Sequence, residues 1–174
     1  MTPEQRTYRM SHIRQSNTKL EVILRRALWH FGFRYRVNDK RLPGTPDIVL
    51  PKYHTVIFIH GCFWHGHKGC RFYTIPKTNT EFWTAKVARN QERDQDVWRR
   101  LEAMGWFVIV VWECELKKTV FDDTVERVVA EIIKNGERYR DDLEKRRTAR
   151  AAYLTEQQAR KEKSLYIKKE LSSL

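Results

Sequence analysis

The chain has 174 residues and a formal net charge of +12 at pH 7. It has no apolar run of about 20 residues and no apolar core near its start, which argues against a membrane span and a signal peptide. We therefore expect a cytoplasmic protein, and the positive charge favours a polyanionic partner such as nucleic acid.

The first third of the chain predicts an arm, a helix and three strands. The polar, basic residues 1–17 predict an N-terminal arm. Residues 18–31 predict an amphipathic helix, with a capping box formed by Thr18 and Glu21 at its start and Gly32 at its end. The stretches that follow predict three strands, at residues 33–37, 48–50 and 55–60, the last two joined by a turn at 51–54.

The middle of the chain predicts two helices around one strand. Thr80 is expected to cap a helix over residues 81–104. Residues 106–112 are apolar on both faces, which predicts a central strand, like the strand that ends at residue 60. A second helix is expected over residues 121–134, and Gly136 is expected to end it.

The last segment, residues 137–174, is charged and poor in core side chains, which predicts an exposed helical extension. Its eleven Lys or Arg residues exceed its seven Asp or Glu residues, a surplus that suits nucleic acid or, equally, a solvated helix. The order helix, strand, strand, strand, helix, strand, helix predicts a small α/β sandwich with a mixed sheet. The chain thus divides into an arm (1–17), a globular domain (18–136) and the extension.

Residues 58–70 concentrate possible metal ligands, with three histidines and two cysteines in thirteen positions. Three of these side chains, with one distant cysteine, supply the donors of a closed structural zinc site: Cys62, His67, Cys70 and Cys114. The alternative is that Cys114 is a buried thiol and the histidines are surface residues. The clustering of soft ligands favours zinc.

A second site is predicted where two strands meet. If Leu50 pairs with Thr55, then Asp47 and His60 lie diagonally opposite on one face of the hairpin. A carboxylate at such a rim suits Mg²⁺. On its own, Asp47 could equally be a turn residue that follows Pro46.

Asp94 supports the second site, because it falls in the apolar stripe of the 81–104 helix and needs a polar partner there. It could hydrogen-bond water at a metal or pair with an arginine. Glu21 is explained by the capping box alone, so a functional role is a weaker hypothesis. Three aromatic side chains are candidates to stack on bases or to insert between them, with core packing as the alternative: Phe63, Trp64 and Trp83.

Six segments, in this order, resemble the very-short-patch repair (Vsr) DNA mismatch endonuclease family. They are Asn-Thr-Lys-Leu-Glu (17–21), Leu-Pro-Gly-Thr-Pro-Asp (42–47), Val-Ile-Phe-Ile-His-Gly-Cys-Phe-Trp-His (56–65), Thr-Glu-Phe-Trp (80–83), Asn-Gln-Glu-Arg-Asp (90–94) and Val-Trp-Glu-Cys (111–114). The resemblance implies a restriction-endonuclease-like three-layer sandwich around a structural zinc. The segment from His67 to Cys70 is one residue longer than in the family pattern.

The resemblance also implies roles for the candidate residues. Asp47 and the backbone carbonyl of Ile59 would bind Mg²⁺, and His65 would be the general base. Three residues would order water at the metal and orient the base: His60, Asp94 and Glu21. The zinc ligands would be Cys62, His67, Cys70 and Cys114, and the aromatics that wedge into DNA would be Phe63, Trp64 and Trp83.

The activity implied by the resemblance is nicking of one strand 5′ to the thymine of a T·G mismatch left by deamination of 5-methylcytosine. A monomer that works in the nucleoid is expected, with mismatched duplex DNA and mismatch-repair proteins as partners and no membrane. One alternative is a restriction or defence nuclease that cuts matched DNA of defined sequence. Another is an inactive zinc module that only binds DNA, although the complete set of catalytic candidates argues against it.

Overall fold

The computed structural model describes residues 17–171, with side chains as far as residue 161. The predicted arm therefore lies outside the described residues, apart from Asn17. The elements follow the predicted order: α1 (Lys19–His30), β1 (Arg36–Val37), β2 (Ile48–Leu50), β3 (Thr55–His60), α2 (Thr80–Ala103), β4 (Phe107–Trp112) and α3 (Phe121–Leu171), with 3₁₀ turns at Pro51–Tyr53 and Glu113–Leu116.

Helix α1 begins at the capping box that its sequence predicts. The Glu21 N–H donates to the Thr18 hydroxyl at 3.3 Å, and the Thr18 N–H donates back to the Glu21 carboxylate at 3.1 Å. Two of the unpaired N–H groups of the first turn are thereby satisfied. The chain leaves the helix through Gly32, whose φ of +85° favours glycine.

The four strands form one mixed sheet, as the sequence predicts, and their order is β1-β2-β3-β4. Strands β1, β2 and β3 are antiparallel neighbours, whereas β3 and β4 run parallel. Leu50 pairs with Thr55, which is the predicted hairpin register. The parallel pairing brings the ends of β3 and β4 together, because His60 lies beside Trp112.

The prediction that β4 is a central strand is wrong for the described sheet, where β4 pairs with β3 alone and lies at the edge. Its apolar sequence has another cause, since helices cover both of its faces. Ile109 and Val111 pack in the core shared with α1 and α3, and Val108 packs against the core formed with α2. Burial on two faces therefore does not require two neighbouring strands.

The helices form a layer on each side of the sheet. Leu24 and Leu28 of α1 join Val128 and Ile132 of α3 on one face, and all four are fully buried. Leu101 of α2 is fully buried on the other face. Truncation of such a leucine to alanine costs about 2–5 kcal/mol of stability, so these contacts hold the sheet between its helices.

Two predicted helix boundaries are wrong. Asn79 occupies the N-cap position of α2 without a side-chain capping hydrogen bond, and Thr80 is the first helical residue. The Thr80 hydroxyl donates to the Pro76 carbonyl at 3.0 Å. Helix α3 continues through Gly136 instead of ending there. A glycine inside a helix costs only about 1 kcal/mol. Gly136 lies where an added Cβ would meet the ring of Tyr53, so close packing explains the glycine.

The described residues up to 136 form one compact unit, and those from 137 onward form a second. The second unit is helical as far as Leu171, and its side chains are almost all exposed up to residue 161. Among the described residues, no helix is long and apolar enough to cross a membrane.

Candidate active site

The first of two clusters in the site consists of Cys62, His67, Cys70 and Cys114, which we call the metal cluster. Their ligand atoms all lie within 4.8 Å of one another. His67 Nδ1 lies 3.6 Å from the Cys62 sulfur and 3.4 Å from the Cys114 sulfur. A tetrahedron with Zn–S bonds of about 2.3 Å has edges of about 3.8 Å, so the donors fit zinc in both chemistry and spacing.

The thiols of the metal cluster differ in acidity because their surroundings differ. Burial raises the pKa of Cys62 to about 12, and burial also raises the pKa of Cys114. The backbone N–H of Phe72 donates to the Cys70 sulfur and lowers the pKa of that thiol. Metal binding must therefore displace protons, and the affinity for metal rises with pH.

Helix α2 holds the loop that carries these ligands. The Asn90 amide donates to the Trp64 carbonyl at 2.8 Å. The Gln91 amide donates to the carbonyls of His65 and Gly66 at 3.3 and 3.2 Å. The first bond also gives the half-buried amide of Asn90, which lies near Asp94 on the mainly apolar stripe of α2, the polar partner that it needs.

The second cluster consists of His60, His65 and Asp94, and we call it the catalytic cluster. Its two histidines come from the same segment of the chain as Cys62, whereas Asp94 comes from α2. Asp94 Oδ2 lies 2.5 Å from His65 Nδ1 and 4.0 Å from His60 Nδ1. The two imidazole rings stack with centroids 3.7 Å apart. Asp94, which is only 7% exposed, also pairs with Arg93 at 3.2 Å, so the arginine considered as its partner lies near it, beside the two histidines.

The electrostatics of the catalytic cluster distinguish its two histidines. Burial lowers the pKa of His60 to about 3, so this ring is neutral at physiological pH. Burial alone would raise the pKa of Asp94, but the hydrogen bond and charge of His65 outweigh it and leave that pKa below its usual value. An ionised Asp94 beside His65 can stabilise an imidazolium, which suits His65 as a proton acceptor.

Asp47 lies beside this cluster without joining it. Its carboxylate accepts the backbone N–H of Ile59 at 2.7 Å across the hairpin. Burial raises the pKa of Asp47 to about 6, and Glu21 adds to the increase, whereas Arg25 and His65 oppose it. A carboxylate that is costly to ionise is one that a bound cation would stabilise.

Glu21 does not face the catalytic cluster as a free carboxylate. Its oxygens accept the N–H groups of Asn17 and Thr18 and pair with Arg25 at 2.7 Å. The same Arg25 guanidinium donates to the Asp47 carbonyl at 3.0 Å. Glu21 thus supports the backbone of Asp47 through Arg25.

Arg25 is only 7% exposed, and sequence analysis missed it. Its Nη1 donates to the Asn17 side chain at 2.7 Å, which adds to its bonds with Glu21 and Asp47. A detectable signal was present, since Arg25 lies four residues after Glu21 and next to the buried Leu24 on α1. A charged residue at that position needs a buried partner.

Phe63, Trp64 and Trp83 form an aromatic cluster with ring centroids 5.2–6.0 Å apart. All three side chains are half-buried. Phe82 extends the cluster, because it packs edge-on against Trp83 at 5.1 Å and is 55% exposed. Sequence analysis did not single out Phe82.

The comparisons with known proteins agree with this geometry. A family model described as "DNA mismatch endonuclease Vsr" matches residues 1–71. The chain is 52% identical over 132 residues to the type II nicking enzyme V.NmeAIP of Neisseria meningitidis. The aligned region covers 75% of this chain and 94% of the relative. It is 45% identical over 112 residues to the DNA mismatch endonuclease Vsr of Escherichia coli. Here the aligned region covers 64% of this chain and 71% of the relative.

A mixed α/β fold with a histidine–aspartate pair beside the half-buried carboxylate of Asp47, together with these relatives, defines a DNA endonuclease, a hydrolase of phosphodiester bonds. The chain belongs to the Vsr DNA mismatch endonuclease family. The resemblance found in the sequence is confirmed, and the expectation of an endonuclease, preferred over an inactive binding module, is confirmed with it.

Proposed function

We propose that the protein nicks one strand of duplex DNA 5′ to the thymine of a T·G mismatch, in a Mg²⁺-dependent hydrolysis. The observation that carries the chemistry is the pair formed by His65 and Asp94. The substrate preference rests on membership of the family and on the half-exposed aromatic cluster.

His65 is the proposed general base. With Nδ1 directed at Asp94, its Nε2 is left to accept a proton from the attacking water. The water oxygen bonds to phosphorus, and the bond from phosphorus to the leaving sugar oxygen breaks. Neutral His60, stacked on His65, orients the base without adding a repelling charge.

Two oxygen donors would hold Mg²⁺, namely the Asp47 carboxylate and the Ile59 carbonyl. Oxygen is the donor that this hard cation prefers, and the raised pKa of Asp47 fits a carboxylate that a cation is needed to stabilise. When bound, Mg²⁺ supplies stabilisation of the charge that develops on the phosphoryl group. Glu21 would contribute through Arg25, which holds the Asp47 backbone.

The metal cluster is the proposed zinc site, and its role is structural, because four protein ligands leave no open position for substrate. It joins the loop after β3 to the 3₁₀ turn after β4. The longer segment between His67 and Cys70 does not prevent Cys70 from reaching the other ligands. Phe63 and Trp64 lie inside that loop, so zinc would also hold the aromatic cluster in place.

For the fold, we propose a restriction-endonuclease-like three-layer sandwich over residues 18–136. Helices on both faces of the mixed sheet support this proposal. Residues 1–17 would be a basic arm, and residues 137–174 would be an extension that adds positive charge. The protein would act as a cytoplasmic, nucleoid-associated monomer alongside mismatch-repair proteins.

A second candidate function is cleavage of matched DNA of defined sequence, and one observation favours it. Two relatives, from Neisseria meningitidis and Xanthomonas oryzae, carry the name "type II nicking enzyme". The same catalytic residues would serve both activities, so only the substrate separates them.

The deciding experiment is a panel of end-labelled duplexes with T·G, G·C, A·T and other mismatches, incubated with Mg²⁺ or with EDTA. We expect Mg²⁺-dependent nicking of the T·G duplex alone, in the thymine strand on its 5′ side. The Asp47→Ala variant serves as the inactive control that still binds DNA. Equal nicking of matched duplexes would favour the second candidate function.

A further inference from the structure

We propose that Trp112 is a positioning residue that transmits the state of the metal cluster to the catalytic cluster. The inference rests on the proposed zinc site and on the proposed role of His65. Neither the family resemblance nor the proposed function assigns a task to this side chain.

The topology of the sheet places Trp112 between the two clusters. It is the last residue of β4, and it lies beside His60, the last residue of β3, in the parallel pair. Two residues beyond each strand end stands a ligand of the metal cluster, Cys62 after β3 and Cys114 after β4. The ends of β3 and β4, which carry His60 and Trp112, therefore lead directly into the metal cluster.

The indole ring contacts one histidine from each cluster. It stacks on His67, with centroids 4.1 Å apart and an interplanar angle of 5°. It meets His60 edge-on, with centroids 5.5 Å apart and an angle of 78°. Because His60 stacks on His65 at 3.7 Å, a continuous series of rings joins a metal ligand to the proposed base.

The packing of neighbouring rings, more than hydrogen bonding, orients the His60 side chain. Its buried Nδ1 has no hydrogen-bond partner within the described part of the chain. The ring is instead surrounded by aromatic neighbours: Phe58 at 6.1 Å, Trp98 at 5.8 Å, and Trp112 and His65 at the distances above. Packed rings have few alternative rotamers, so a displacement of one ring moves the next.

Trp98 provides a matched control. It also stacks on His60, but from α2, and no ring contact of Trp98 with the metal cluster occurs in the described residues. A change at Trp98 should therefore alter the surroundings of His60 without breaking the path from His67. A change at Trp112 should break that path.

The first test uses NMR signals of the imidazole groups in chain labelled at histidine, with the metal cluster loaded with Zn²⁺ or with the larger Cd²⁺. In the wild type and in Trp98→Phe, the exchange of metal should shift the signals of both His67 and His60. In Trp112→Leu only the His67 signal should shift. If the wild type shows a shift at His67 alone, the coupling is wrong, and this result does not depend on any variant folding.

The second test measures three quantities. The rate of single-turnover nicking of the T·G duplex is measured with Mg²⁺, and the zinc content is measured on the same protein. The Kd for the same duplex is measured in EDTA-free buffer without Mg²⁺, so that no cleavage occurs. Trp112→Leu should keep one zinc per chain and the wild-type Kd, but nick roughly ten- to a hundredfold more slowly, because a small misplacement of a catalytic group is costly. Trp112→Phe, which keeps a ring, should recover most of the rate. A zinc-loaded Trp112→Leu that nicks at the wild-type rate would overturn the proposal.

The two tests separate failure of this inference from failure of the proposed function. A wild-type chain that does not nick the T·G duplex contradicts the proposed function, and the metal-exchange spectra still decide the coupling. A chain that takes up neither Zn²⁺ nor Cd²⁺ overturns the coupling together with the zinc assignment, and elemental analysis identifies that case.

Discussion

Asp94 of α2 reaches across to the loop after β3 and places its Oδ2 2.5 Å from Nδ1 of His65. The two residues are 29 positions apart in sequence, yet their contact determines which nitrogen of the imidazole is free. A carboxylate fixes a proton on Nδ1 and leaves Nε2 as the acceptor, which is the arrangement that general-base catalysis requires.

The Asp94→Asn variant should therefore nick T·G DNA about 10²- to 10⁴-fold more slowly, because an amide can donate to Nδ1 and stabilise the wrong tautomer. Binding of the duplex should change little. Single-turnover rates and Kd values at fixed salt measure both effects. Asp96→Asn is the matched control, since Asp96 lies on the same helix but is exposed and pairs with Arg99. Equal rates for the two variants would contradict the role of Asp94.

Asp47→Asn should abolish nicking and, unusually for an active-site change, stabilise the metal-free protein at pH 7. Burial raises the pKa of Asp47 from 3.8 to about 6, so the ionised carboxylate lowers the stability of the fold above pH 6. Removal of that charge should raise the free energy of unfolding by about 1–3 kcal/mol, a range that allows for solvent screening.

The sign of this effect fixes its dependence on pH. As the pH falls from about 6 to about 4, Asp47 becomes protonated in the folded state first, so the advantage of Asp47→Asn should shrink and then vanish. Urea unfolding in EDTA at several pH values measures it. Asp39→Asn is the control, and its effect on the free energy of unfolding should have the opposite sign. Arg41 lowers the pKa of Asp39 to about 2, so the ionised carboxylate favours the folded state. An advantage of Asp47→Asn that persists below pH 4 would show that charge is not its cause.

Arg25→Met should destabilise the domain by about 3 kcal/mol, because it leaves the buried Glu21 carboxylate and the Asp47 carbonyl without their partner. Arg26→Met provides a matched control, since the next residue on α1 is exposed. Urea denaturation gives the two free energies. If both variants unfold at the same urea concentration, the guanidinium is not supporting Asp47.

Local rules of sequence predicted much of the fold because the determinants were local. The capping box at Thr18 and Glu21 and the hairpin pairing of Leu50 with Thr55 depend on neighbours in the sequence, and both are confirmed. The edge position of β4 and the continuation of α3 past Gly136 depend on packing with distant residues. Sequence patterns report burial and flexibility, but not which element provides the contact.

The candidate site shows the same division. The ligand types of the metal cluster were visible in the sequence, and their convergence in space agrees with that interpretation. Arg25 was not predicted, because its role depends on a bond to the Asp47 carbonyl, 22 positions away. The contact of Trp112 with both His60 and His67 likewise arises only when β3 and β4 pair.

Cys114→Ser should lose the metal of the metal cluster and melt at a lower temperature, because a structural zinc contributes its binding free energy to folding. A loss of about 4 kcal/mol would lower Tm by roughly 10 °C for a chain of this size. Elemental analysis and calorimetry measure the two quantities. Glu113→Gln is the control, since Glu113 is the neighbouring residue and its side chain is 40% exposed. Zinc-free wild-type protein that melts at the temperature of the loaded protein would refute the structural role.

Trp64→Ala should weaken action at the mismatch selectively. Its ring packs with Phe63 and Trp83 in a half-buried cluster, and its carbonyl is held by the Asn90 amide, so the backbone can stay in place when the ring is removed. Stacking of an aromatic ring on a base is worth about 1–3 kcal/mol, which corresponds to roughly five- to 150-fold in affinity.

That loss should fall on T·G duplex, where insertion of a ring costs less unstacking energy than in matched DNA. Binding of matched duplex relies on phosphate contacts from a chain of charge +12 and should keep both its affinity and its salt dependence. Kd values for both duplexes at fixed salt test this, with Trp29→Ala as the matched control, because Trp29 is an exposed tryptophan on α1 outside the aromatic cluster. If Trp64→Ala weakens both duplexes equally, or neither, then its ring is a packing element and discrimination of the mismatch must come from other residues.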